Sequence, residues 1–199
     1  MDARKRAWIW AGLALTAGVG VVLVATRSDA SDNALPSGSG APALAAGERM
    51  FLVGDSLAVG LSAPMRQLCT ASGVGFDAAA KQGTTVLAWA SFDFPPAETT
   101  LISLGTNDMK MFDPLSERPK IDAMLARAKA SSRRVVWLLP PPMPFPDRGV
   151  IDMITEAATS AGVELLQAPD VQRGPDKIHP TAAGYAAWAG LIWQYLQNG

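Results

Sequence analysis

The chain holds one cysteine and one histidine among 199 residues. Cys69 on its own leaves no partner for an intrachain disulfide and no thiolate cluster. A lone imidazole with scattered carboxylates does not make the usual transition-metal ligand sets, so metal-dependent hydrolysis is excluded and neither a metal nor a cofactor is implied. An excess of charge of either sign is also lacking. The net charge is -1, and beyond the N-terminus no basic cluster is interleaved with aromatics, which excludes nucleic acid as a partner. Arg133 and Arg134 read as a solvated entry into a strand, and Cys69, in Met65-Arg66-Gln67-Leu68-Cys69, reads as small apolar filler on a helix.

Charge is missing altogether from residues 8–26. At about 1.5 Å per helical residue this run reaches across a hydrocarbon core of about 30 Å. Arg4, Lys5 and Arg6 precede it, so the positive-inside rule keeps the N-terminus cytoplasmic and sends the remainder across the membrane. Residues 1–27 are therefore expected to be a signal anchor, with the domain behind it extracytoplasmic. The rival is a cleaved signal peptide ending near Ser28-Asp29-Ala30, which would leave a secreted protein; its apolar region is usually shorter than this one. Residues 28–47, rich in Ser, Ala, Gly, Pro and Asp, read as a flexible linker.

With 49% hydrophobic and 18% charged residues, residues 48–199 suit one globular domain. Short apolar runs alternate there with longer helical patterns, the signature of a parallel sheet covered on both faces. The expected class is α/β, a three-layer α/β/α domain with a parallel sheet of about five strands. Strands are predicted near 49–53, 75–79, 99–104, 135–139 and 163–167. Helices are predicted near 57–72, 85–90, 119–130, 150–161 and 181–197.

The segments able to support chemistry fall just after strands, where open α/β sheets bind ligands. Gly54-Asp55-Ser56-Leu57 follows the first strand, Gln82-Gly83-Thr84 the second and Gly105-Thr106-Asn107-Asp108 the third. Asp176-Lys177-Ile178-His179-Pro180 follows the fifth and leads into the last helix, which Pro180 is expected to begin. A serine hydroxyl is a weak nucleophile until a base takes its proton, and the base needs a partner that fixes its tautomer. Ser56, His179 and Asp176 can fill these roles; Asp170, in a strand-end turn, is the weaker candidate for the acid. Oxyanion donors are the backbone N–H of Ser56 at a helix N-terminus, the unobstructed N–H of Gly83 and the Asn107 amide. Each segment alone has a plain structural reading, as a helix cap or a turn. Their order and their common edge favour catalysis.

Together these four segments resemble the blocks of the SGNH hydrolases, the GDSL esterase/lipase family, from Arg49 to the C-terminus. The resemblance implies a flavodoxin-like fold, Ser56 as nucleophile, Asp176 and His179 as acid and base, and Ser56, Gly83 and Asn107 as the oxyanion hole. It also gives Asp55 a structural role on local backbone. Lys81-Gln82-Gly83-Thr84-Thr85 matches its block through the glycine.

The expected function is a serine-dependent carboxylic ester hydrolase acting through an acyl-serine, on small acyl esters or acylated extracytoplasmic glycans. A thioesterase or lysophospholipase, a catalytically silent envelope binding protein, and a nucleotide or flavin binder are the alternatives. The last is disfavoured by Asp55, which would repel phosphate. Met109, Met143 and Phe145 are expected to flank the catalytic mouth as substrate-binding residues, and prolines 140, 141, 142, 144 and 146 argue against a mobile lid.

Overall fold

The computed structural model describes residues 40–198. The expected anchor and the first part of the linker lie outside these residues; among the described residues, no helix is long and apolar enough to cross a membrane. Leu44 is buried in the core, so the packed domain begins a few residues before Glu48.

Five strands, β1 (Arg49–Gly54), β2 (Gly75–Ala80), β3 (Ala97–Ser103), β4 (Ser132–Leu139) and β5 (Glu164–Gln167), form one sheet in the order β2-β1-β3-β4-β5. Every neighbouring pair is parallel. The chain places β2 on one side of β1, then returns past it to build the other three. This reversal opens a crevice at the carboxyl ends of β1 and β3, the switch point of a flavodoxin-like sheet. Gly54 pairs with Ala80 and with Ser103, so the segments after β1, β2 and β3 leave the sheet at one edge.

Alternation along the strands builds the two outer layers. Met50, Leu52, Leu101, Val136 and Leu138 face a cluster completed by Leu61, Met65, Trp188 and Ile192 of α1 (Ser56–Ala71) and α4 (Ala182–Gln197). Phe51, Val53, Ile102, Val135 and Trp137 face Ile121, Met124, Val150 and Ile154 of α2 (Arg118–Ser131) and α3 (Val150–Ala161). The expected three layers are present. Cys69 is buried beside Met50, and burial pushes its thiol up to about 11, consistent with an inert filler.

Three local expectations are corrected. The predicted helix at 85–90 is a single 3-10 turn, Val86–Ala88, short because the following aromatics fold back: Trp89, Phe92 and Phe94 pack edge to face over the core. Strand β4 starts at Ser132, and Arg134 is buried rather than solvated. Its guanidinium donates to both carboxylate oxygens of Glu164 at 2.8 to 3.1 Å, a bidentate geometry that compensates burial of the charge. Pro180 does not open the last helix; it pairs with Arg173 in an isolated bridge. Thr181 is the cap, accepting the Gly184 N–H at 3.1 Å.

Candidate active site

Ser56 is the first residue of α1, and Asp55 before it is the N-cap, its Oδ1 accepting the Leu57 N–H at 2.9 Å. The cap leaves the Ser56 hydroxyl free for other work. It also leaves the Ser56 N–H in the first helical turn, where it has no intrahelical acceptor and sits at the positive end of the helix dipole.

His179 reaches Ser56 from the far end of the chain, with Nε2 2.8 Å from Ser56 Oγ and Nδ1 2.6 Å from Asp176 Oδ2. The other Asp176 oxygen accepts the backbone N–H groups of Ile178 and His179 at 2.9 and 3.0 Å. The His179 hydrogen bond and these two backbone donors hold the Asp176 carboxyl down to about 2. An ionised carboxylate only accepts, so Nδ1 carries the ring proton and Nε2 presents its lone pair to the serine O–H. The arrangement can therefore draw a proton from Ser56 Oγ and stabilise the resulting imidazolium.

The loop supplying both groups is held tightly. Gly174 N–H donates to His179 O at 2.8 Å, Thr181 N–H to Gln172 O at 2.9 Å and Lys177 N–H to Gly174 O at 3.0 Å. Arg173 adds a tie that sequence reasoning missed: its guanidinium donates to Pro142 O and, at 3.2 Å, to Lys177 O. Asp170, the alternative acid, is almost fully exposed and lies 4.0 Å from Arg173, while Asp176 holds the imidazole.

Gly83 and Asn107 line the same cleft as Ser56 and His179, a cavity of about 560 Å³. Space is not the reason for glycine at 83, since nothing lies within 4 Å of where a Cβ would stand; its φ of +73° is. Asn107 Nδ2 donates to Thr84 O at 3.0 Å, which spends one amide N–H and leaves the second for a ligand. Its neighbour Asp108 accepts the Val86 N–H at 3.0 Å. The loop carrying Gly83 is thus clamped at Thr84 and Val86, just beyond the glycine, by the turn after β3.

Two fully buried acids underlie the site. Burial pushes Asp55 up to about 7, the Leu57 N–H opposing and Asp108 reinforcing the shift. Burial likewise raises Asp108 to about 6 against the pull of backbone donors. One oxygen of each, with the Thr106 hydroxyl, is buried without a protein partner. No group of three or more His, Cys, Asp or Glu arranged to hold a metal ion occurs among the described residues.

The expected substrate-binding residues are placed elsewhere. Met109 is core, 3% exposed, because the 3-10 turn Asp108–Lys110 points it inward. Met143 and Phe145 pack against the core and, with Met109, line a separate depression of about 310 Å³. The Ser56 cleft is walled instead by Val59, Gly60, Gln82, Lys110, Ile178 and Tyr185. Val59 and Gly60 stand three and four positions after Ser56 and so share its helix face, a signal legible in the sequence. Gly60 lets the Tyr185 ring lie flat on α1: a Cβ there would sit 2.0 Å from the ring.

The fold and this edge define an α/β domain with a serine, histidine and aspartate in one hydrogen-bonded chain. Solved structures that share the fold include the following three. An α/β hydrolase enzyme from the metagenome of Lake Arreo, Spain, superposes with a TM-score of 0.65 at 18% identity, over 77% of this chain and 96% of its own. Axe2, an acetylxylan esterase from Geobacillus stearothermophilus, gives 0.62 at 16% identity over 76% and 95%. The psychrotrophic esterase EstA from Pseudoalteromonas sp., in a structure inhibited by monoethylphosphonate, gives 0.59 at 15% identity over 75% and 97%. No family model matches the sequence, and no curated protein does.

Proposed function

We propose that this protein is a carboxylic ester hydrolase of the SGNH type that works through an acyl-serine at Ser56. The observation that carries the reading is the continuous chain from Ser56 Oγ through His179 to the Asp176 carboxylate, opening on a cleft lined by Gly83 and Asn107. In the first half-reaction Ser56 Oγ bonds to the ester carbonyl carbon as its proton passes to His179 Nε2. The carbonyl oxygen takes the negative charge, facing the N–H groups of Ser56 and Gly83 and the free N–H of Asn107. The carbon–oxygen bond to the alcohol then breaks, and His179 returns the proton to the departing alkoxide. In the second half-reaction water, deprotonated by the same imidazole, displaces Ser56 and releases the carboxylic acid. Each oxyanion donor is typically worth about 2.7 to 4 kcal/mol.

Short acyl groups, acetyl above all, are the proposed substrates, borne by extracytoplasmic glycans. Support comes from the open cleft beside Ser56 and from the likeness in fold to an acetylxylan esterase. The apolar run at residues 8–26 would tether the domain outside the cytoplasm. Hydrolysis of p-nitrophenyl acetate, butyrate and octanoate by the full-length protein tests this. Rates that fall with chain length are expected; rates that rise would replace the reading with a thioesterase or lysophospholipase, and no turnover by folded protein would favour a silent binding protein.

A further inference from the structure

The cleft beside Ser56 has a charge of one sign. Its walls contain Lys110 and no aspartate or glutamate. Two more lysines stand next to wall residues on separate loops: Lys81 precedes Gln82 at the end of β2, and Lys177 precedes Ile178 in the histidine loop. All three are exposed. None has a carboxylate within 4.0 Å among the described residues, where seven arginine–carboxylate pairs form.

The acids nearest the cleft form no ion pair with Lys110. Asp55 and Asp108 are fully buried beneath the floor, and the Asp176 carboxylate is taken up by His179 and two backbone donors. Lys110 leans on the Phe145 ring, its Nζ 5.2 Å from the centroid, a contact that tethers the ammonium without cancelling its charge. Tyr185, whose hydroxyl is pushed up to about 12 by burial and by Asp55 and Asp176, stays a neutral O–H donor in the same cleft. In a chain of net charge -1, a cleft wall that holds a lysine and no carboxylate is a local reversal of sign, and such a wall raises the local concentration of anions.

We infer that the cleft selects esters carrying a negatively charged group outside the reacting bond, with Lys110 as the residue that reads the charge. This rests on the esterase reading above and narrows its substrate class to acidic esters, such as an acylated carboxylate-bearing sugar. Lys110, the lysine in the cleft wall, supplies the contact.

The test compares two acetyl esters of equal shape, 4-acetoxybenzoate and 4-acetoxybenzamide, with the full-length protein and with Lys110→Met. The readout is the ratio of their kcat/KM values, in which any loss of folded protein cancels. At low ionic strength the carboxylate is expected to be favoured about fivefold, the scale of one exposed ion pair. The preference should shrink toward unity in Lys110→Met and in 0.5 M salt, where the screening length is well under 10 Å. Equal turnover of the two esters by the unaltered protein, or a preference that survives Lys110→Met, overturns the inference and leaves the esterase reading standing. Turnover of neither ester by folded protein contradicts both.

Discussion

Asp108 accepts the Val86 backbone N–H at 3.0 Å from a position with no solvent exposure. A buried carboxyl is costly unless hydrogen-bonded, and this one ties the turn after β3 to the loop that carries Gly83. With the Asn107 bond to Thr84 O, it fixes two of the proposed oxyanion donors relative to each other. Asp108→Asn keeps an acceptor at Oδ1, whereas Asp108→Leu does not. The leucine variant should lose about 10²-fold in kcat with KM little changed, the scale of a misplaced donor, and the asparagine variant should recover most of it. Steady-state kinetics of the two variants check this; a leucine variant with normal kcat would remove Asp108 from the positioning machinery.

Gly83 is held at φ +73° with open space around it. Gly83→Ala should therefore fold, at a cost of about 1 to 2 kcal/mol for a left-handed alanine, read by urea denaturation. Relaxation of the strained loop would turn the N–H away from the cleft, so kcat should fall as well. Unchanged kcat in a destabilised variant would reduce Gly83 to a turn residue.

Stability should depend on pH through the buried acids. Asp55 and Asp108 have folded values near 7 and near 6 against an ordinary 3.8. The folded state keeps these protons over a range where the unfolded chain releases them. Their contribution is full below about 3.8 and is lost as pH rises to about 7. Asp176, held near 2, acts in the opposite sense, its contribution lost only as pH falls from about 3.8 toward 2. Asp55→Asn keeps the cap to Leu57 and removes one titration. Between pH 4 and 8 the unaltered protein should lose at least about 1 kcal/mol relative to this variant. Parallel curves from denaturation at several pH values would contradict the account.

Much of this was legible in the sequence where local chemistry and tertiary placement agree. Helix α3 spans residues 150–161 as its apolar spacing predicts, between Gly149 and Gly162, both in the left-handed conformation. The four motif segments were legible because each follows a strand, and parallel strands in the order β2-β1-β3 deliver them to one edge. Less legible is which way a side chain faces, because that is set by tertiary contacts. Met109 stands two positions after Asn107 and yet is core, because a 3-10 turn rotates it inward. Arg134 looked solvated because nothing local announces Glu164, thirty residues on. Tyr185 lines the cleft only through a packing contact with Gly60 across the α1–α4 interface, for which the sequence carries no periodic signal.

The central claim is that Ser56 is a nucleophile activated by His179 and Asp176. Its hydroxyl is bonded to His179 and takes no part in the helix cap, so Ser56→Ala should fold with stability within about 1 kcal/mol of the original. Treating the protein with a fluorophosphonate and mapping the adduct by peptide mass spectrometry tests the claim most directly. The account predicts one adduct, on Ser56, absent from Ser56→Ala and formed far more slowly in His179→Ala. No adduct on folded protein, or an adduct at another residue that persists in Ser56→Ala, would contradict it.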